Sequence, residues 1–339
     1  MPCPPKTILV FAAALLLAAP TAIHGQTTGF VYHEAYLDHD TGGRHPETPE
    51  RLRAIVAHLE QTGLMKQLRR IRPSPAALEA LTAIHTEEYV AEVQRACREG
   101  QAFLHSSDTP ICLGSYRAAL LAAGGVLSAI DAIMAGDVRN AFCAVRPPGH
   151  HAVEDRAMGF CLFNNVAVGV RYAQSKHNLR KILIVDWDVH HGNATQAAFY
   201  DDPDVLYFSV HQYPFYPGTG AASETGAGRG EGSTLNAPLP AGSGDSVYER
   251  VFEDILKPRA LAFAPDLVII SAGFDGHEDD LLGSMQLSTE GYAKLTRMVR
   301  DIAERCCSGR IVSVLEGGYN LEALAASVAS HVSALLEDD

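Results

Sequence analysis

The sequence predicts an α/β protein with a mostly parallel sheet covered by helices on both faces. Three observations carry that prediction. Short aliphatic runs recur at residues 141–145, 182–185, 205–210, 266–271 and 310–315, and unalternated apolar runs of that length read as strands buried on both faces. Longer helical stretches lie between them, at 115–134, 163–172, 245–256, 289–305 and 321–336, and such alternation builds a parallel sheet. Finally, several strand runs end in polar residues and glycine, where open α/β sheets bind ligands.

Taken in order, residues 28–32 read as the first strand. His45-Pro46-Glu47-Thr48-Pro49-Glu50-Arg51-Leu52 is then a loop feeding a helix. Thr48 suits the N-cap, Pro49 the first turn, and Glu50 the positive end of the helix dipole. Leu52, Ile55, Val56 and Leu59 supply its apolar face. His85-Thr86-Glu87-Glu88-Tyr89-Val90 opens another helix. The Ala- and Leu-rich stretch 115–134, with Gly124-Gly125 inside it, predicts a buried helix packed closely on a neighbour. Asn164 and Asn165 fall in the first turn of the helix at 163–172. Residues 217–232 form a Gly-rich loop at the ligand-binding face.

The chain has 339 residues, 47% of them hydrophobic and 20% charged, which is ordinary for a globular protein. The net charge of −13 argues against a nucleic-acid surface and suits a cationic substrate. Seven scattered cysteines form neither a disulfide framework nor a CxxC metal site. Lys6, an apolar run at 8–19, Pro20 and small residues to Gly25 have the layout of a signal peptide, and the run is too short for a comfortable membrane span. The expectation is an exported chain, periplasmic or secreted, with a cytoplasmic one as the alternative. Without repeats or linkers, residues 26–339 read as one catalytic domain behind a signal at 1–25.

Chemistry collects at four strand ends. Ile182-Leu183-Ile184-Val185 runs into Asp186-Trp187-Asp188-Val189-His190-His191-Gly192-Asn193. In extended chain Asp186, Asp188 and His190 share one side, and Asp188 with His190 can grip one metal ion. Asp275, ending Ser271-Ala272-Gly273-Phe274-Asp275, adds a second oxygen donor. Two oxygens and one nitrogen suit Zn²⁺ with a position left open. Arg146-Pro147-Pro148-Gly149 presents His150-His151 as candidate bases, with Asp186 and Asn193 as the nearest partners to set their tautomers. Tyr319, after Glu316-Gly317-Gly318, can donate to an oxyanion.

These motifs, read together as HPETPERL, HTEEYV, RPPGHH, GFCLFNN, DWDVHHGN, YPGTG, SAGFD and EGGYN, resemble the histone deacetylase superfamily. That superfamily includes acetylpolyamine amidohydrolases and bacterial deacetylase-like amidohydrolases, and RPPGHH and EGGYN are closest in style to its class II-like branch. The likeness runs from about residue 28 to 336. It implies an arginase/deacetylase-like three-layer α/β/α fold and hydrolysis of N-acetyl amides. It implies one catalytic Zn²⁺ on Asp188, His190 and Asp275, with His151 as general base and His150 as electrostatic aid or acid. Asp186 would bond His150, Asn193 would face His151, and Tyr319 would polarise the acetyl carbonyl. Gly159, Phe160 and Tyr216 would line a tunnel for an acyl-lysine stem. Leu282 stands at a gatekeeper position where polyamine-preferring relatives can carry glutamate. Asp108 falls near a rim position that binds substrate backbone, and Arg51 in an internal channel. The resemblance also implies a structural K⁺ held by Asp186, the carbonyls of Asp188 and His190, and Ser209. The expected substrate is an acetylated peptide, protein or small amine. An acetylpolyamine amidohydrolase, an arginase-like ureohydrolase with two Mn²⁺ ions and an inactive acetyl-group binder are the alternatives.

Overall fold

A computed structural model describes residues 1–3 and 27–337; nearly all of the expected signal peptide lies outside them. The strands are β1 (Thr28–Val31), β2 (Arg69–Ile71), β3 (Phe103–Leu104), β4 (Ser106–Pro110), β5 (Asn140–Cys143), β6 (Ile182–Asp186), β7 (Val205–Gln212), β8 (Thr234–Leu239), β9 (Leu267–Ala272) and β10 (Ile311–Leu315). The helices are α1 (Glu50–Gln61), α2 (Leu78–Leu81), α3 (Glu87–Arg98), α4 (Ser115–Met134), α5 (Asn165–His177), α6 (Asn193–Ala198), α7 (Asp245–Val251), α8 (Lys257–Phe263), α9 (Thr289–Cys307) and α10 (Leu321–Leu336).

Eight strands form one sheet in the order β2-β1-β5-β10-β9-β6-β7-β8, and every pairing is parallel. The short β3–β4 hairpin stands apart. Helices cover both faces. On β5 the Phe142 ring meets His331 of α10, while the next residue, Cys143, turns its Sγ toward the Gly125 carbonyl of α4. Side chains that alternate along a strand thus reach two different layers. The five- and six-residue strands β6, β9 and β10 are buried along their whole length, as the unbroken aliphatic runs require.

Gly124 and Gly125 explain the close seat of α4. A Cβ on Gly124 would drive into the Ser74 carbonyl, and one on Gly125 would lie 2.9 Å from Val31 and 3.0 Å from the Tyr36 hydroxyl. Among the described residues α4 alone is long and apolar enough to cross a membrane, yet 67% of its most apolar stretch is buried inside the fold. It is a core helix.

Two local expectations change. Thr48 does not cap α1: Pro49 already has helical angles, φ −54° and ψ −26°, and occupies the N-cap. Thr48 supplies its carbonyl to the Arg51 N–H instead. The extended-chain argument for Asp186, Asp188 and His190 also fails, because β6 ends at Asp186. Asp186 Oδ1 accepts the Asp188 N–H at 3.2 Å, and Asp188 Oδ1 accepts the His190 N–H at 2.9 Å. Two successive side-chain-to-backbone turns replace strand alternation.

The chain order of the strands conceals what matters for function. β5, β10, β9 and β6 are four consecutive neighbours, and the register sets Cys143, Val314, Ser271 and Asp186 in one row. The four polar segments therefore leave the sheet at nearly the same level, at its carboxyl edge.

Candidate active site

Asp188, His190 and Asp275 converge, with one ligand atom from each lying within 4.8 Å of the others. His190 Nδ1 is 3.1 Å from Asp188 Oδ1 and 3.2 Å from Asp275 Oδ2. Backbone N–H groups hold the carboxylates. Val189 donates to Asp275 Oδ1 at 2.9 Å, and Gly317 donates to Asp188 Oδ2 at 2.8 Å. Asp275 Oδ2 is buried and accepts no hydrogen bond. A buried, unsatisfied carboxylate oxygen is costly unless a cation takes it.

The electrostatics agree. Burial and the neighbouring Asp188 carboxylate push Asp275 up to about 7. Burial opposes charge on His190, but Asp188 and Asp275 outweigh it and push the imidazole up to about 9. The cluster is short of positive charge, and a divalent cation would displace that proton. Two oxygens and one imidazole nitrogen with an open side suit Zn²⁺. Gly317 is needed here for close approach: a Cβ would strike the carboxylates of both Asp275 and Asp188.

Beside this cradle the His150 and His151 rings lie 4.0 Å apart. His150 Nδ1 is 3.2 Å from Asp186 Oδ2, and His151 Nδ1 is 2.8 Å from Asn193 Oδ1. Each imidazole is held by Nδ1, and both line the cavity above. With Asn193 Oδ1 as acceptor, His151 carries its proton on Nδ1 and bears a lone pair on Nε2. Burial, then the nearby His150 and His190, hold His151 well below its ordinary value. Burial works the same way on His150, but Asp188 and Asp186 overcome it and push that ring up to about 10. A cation on Asp188 would offset part of this. Two adjacent histidines are thus driven in opposite directions, which is how one site acquires a base and an acid.

Tyr319 closes the other side. Its ring is 7% exposed and stands edge-on to Phe160 at 5.8 Å. Burial, then Asp275, raises its hydroxyl well above the ordinary value, so it stays protonated. The cavity of about 160 Å³ is lined by Asp108, Pro148, His150, His151, Gly159, Phe160, Cys161, His190, Tyr216, Leu282, Gly317 and Tyr319. All five expected substrate contacts, Gly159, Phe160, Tyr216, Leu282 and Asp108, are among them. Asp186 and Asn193 stand behind the histidines.

Some contributors had no expected role. Glu316 is fully buried. Its Oε2 accepts the Gly149 N–H at 2.7 Å and the His150 N–H at 3.2 Å, and its Oε1 accepts the Ser271 hydroxyl at 2.9 Å. It ties the end of β10 to the His150-His151 segment, and burial pushes its carboxyl up to about 7. A carboxylate ending an aliphatic run was the available signal. Arg51, expected in an internal channel, instead shows backbone contacts: it donates through Nε to the Gly318 carbonyl at 2.7 Å and through Nη2 to the Glu316 carbonyl at 2.5 Å.

A cation cradle with two oppositely biased imidazoles, at the carboxyl edge of a parallel sheet, has the plan of a metal-assisted hydrolase. The histone deacetylase domain model matches residues 45–335. A "Probable deacetylase" of Archaeoglobus fulgidus is 43% identical over 297 residues, covering 87% of this chain and 82% of its own. The "Polyamine deacetylase HDAC10" of Homo sapiens is 41% identical over 326 residues, covering 92% of this chain but 48% of the human protein. The crystal structure of the HDA15 HD domain superposes with a TM-score of 0.88 at 42% identity, covering 92% of this chain and 88% of that one. The chain belongs to the histone deacetylase family of deacetylases and amidohydrolases.

Proposed function

We propose that the protein hydrolyses N-acetyl amides in a Zn²⁺-dependent reaction, on acetyl-lysine side chains or small acetylated amines. The observation that carries this reading is the orphaned Asp275 Oδ2 beside Asp188 and His190, where His190 itself lines a narrow cavity walled by Phe160 and Tyr216. Asp188, His190 and Asp275 would hold the ion. When bound, Zn²⁺ supplies Lewis acidity toward an amide carbonyl and makes water a better proton donor. His151 receives the proton of the attacking water at Nε2, its Nδ1 anchored on Asn193. His150, oriented by Asp186, delivers a proton to the leaving amine. The Tyr319 hydroxyl donates to the developing oxyanion. Phe160 and Tyr216 flank the stem and keep water from it. For K⁺, the proposed donors are supported by register: Asp186 lies opposite Ser209 on the adjoining strand.

Leu282 at the rim favours an uncharged stem over a polyamine cation. A polyamine substrate is the second reading, supported by the exposed Glu278 and Asp279 on the Leu282 loop and by the likeness to a polyamine deacetylase. Side-by-side turnover of acetyl-lysine peptides and acetylpolyamines by Zn²⁺-loaded protein separates them. Tyr319→Phe is expected to keep its metal and lose turnover by about 10²- to 10³-fold, the cost of one oxyanion donor. Unchanged turnover would remove that role. Two Mn²⁺ per chain would instead favour a ureohydrolase.

A further inference from the structure

The Gly318–Tyr319 peptide is gripped at both ends. Arg51 Nε holds its carbonyl oxygen at 2.7 Å, and Asp280 Oδ2 accepts its N–H at 2.6 Å. The same Oδ2 accepts the Asn320 N–H at 3.1 Å, and Asp280 Oδ1 accepts the Leu282 N–H at 2.9 Å. The Asp279 carbonyl adds a bond from Asn320 Nδ2 at 2.9 Å. Gly318 has φ +120°, a conformation other residues rarely adopt, so local stereochemistry alone leaves the direction of Tyr319 open. An outside grip on its peptide plane is therefore what aims the hydroxyl.

We propose that Asp280 is a positioning residue that aims Tyr319 and locks it to the gatekeeper Leu282, making the rim and the oxyanion donor one mechanical unit. The inference rests on the reading of Tyr319 as oxyanion donor. Asp280 accepts three N–H bonds with two oxygens, from segments 39 and 40 residues away and from its own loop. Removing it frees the peptide to rotate, and a displacement of about 1 Å at a reacting group is enough to cost about 10²-fold.

A double-mutant cycle tests this on full-length, Zn²⁺-loaded protein with an acetyl-lysine peptide. Asp280→Ala is expected to lower kcat by about 10- to 100-fold with KM changed less than about 3-fold. In a Tyr319→Phe background the same substitution is expected to cost less than about 3-fold, because its route to the reaction is gone. An equal loss in both backgrounds, or no loss of kcat in the first, overturns the proposal. Asp280→Asn keeps one acceptor and is expected to fall between wild type and Asp280→Ala; if the alanine variant does not fold, the asparagine variant enters the same cycle. Hydrogen exchange reads the grip without turnover. Protection at the Tyr319 and Asn320 amides should be lost in Asp280→Ala and reduced in Asp280→Asn, and wild-type protection in both overturns the proposal. A neutral Tyr319→Phe would instead sink the oxyanion reading, while exchange still decides the grip.

Discussion

Two buried charge clusters, joined by Arg51, differ in one respect. In the first, Glu47 Oε1 accepts from Arg51 Nη1 at 3.1 Å and from Arg146 Nε, while its Oε2 accepts from Arg146 Nη2 at 2.7 Å. The guanidinium groups spend further donors on the carbonyls of Tyr36, His39, Glu316 and Gly318. Glu47, Arg51 and Arg146 are fully buried and matched. In the second, Asp188 and Asp275 are equally buried, yet Asp275 Oδ2 accepts no hydrogen bond of its own and has only the His190 Nδ1 contact that Asp188 Oδ1 shares. Equal burial with unequal satisfaction separates a scaffold from a candidate reactive site: the first cluster holds the loops still, and the second keeps an oxygen that a cation could take.

Asp275→Asn should break the contrast most sharply. Its remaining oxygen can still accept from Val189, but the cation loses a charged donor. Metal content and turnover are expected to fall to background, while the metal-free protein stays within about 1 kcal/mol of wild type in urea unfolding, since an uncompensated buried charge is removed. Full metal content in that variant would reject the cradle. Glu47→Gln should do the reverse, costing about 3–5 kcal/mol of stability by leaving two buried guanidinium groups uncompensated.

Acid sharpens the same comparison. Burial alone would raise the Glu47 carboxyl, but Arg146 and Arg51 overcome it and hold it down at about 2. Its ordinary value is 4.5, so the unfolded chain takes up the proton first. The stability Glu47 contributes is full above about pH 4.5 and is lost as pH falls from there toward 2. The gap between wild type and Glu47→Gln should therefore narrow over that window in urea titrations; a constant gap would show that charge is not what Glu47 contributes.

The smallest effect belongs to Asn193→Asp. A carboxylate on His151 Nδ1 would raise an imidazole that burial holds low. The base must be neutral, so the acid limb of kcat/KM should move to higher pH by on the order of one unit. An unmoved limb would argue against His151 as the base.

Much of the site was legible because it is written in short segments. Asp188, His190, His150, His151 and Tyr319 each sit three to six residues beyond an aliphatic run, where an open α/β sheet binds ligands. Glu316 was visible but had no evident role, because its partners Gly149, His150 and Ser271 lie 45 to 167 residues away. In sequence Asp280 is one of three successive acids, Glu278-Asp279-Asp280; only its three N–H partners distinguish it.

By itself the sequence determined the alternation of buried strands and helices, the residue types at the strand ends, and the Gly-Gly step that lets α4 seat closely. Those are local consequences of hydrophobic runs, turn chemistry and missing Cβ atoms. The tertiary structure decided that β5, β10, β9 and β6 are neighbours, so that four segments scattered over 170 residues meet at one edge. It also decided which buried carboxylates are matched and which oxygen is left for a cation. Both depend on strand order and on hydrogen bonds between distant segments, which no local pattern encodes.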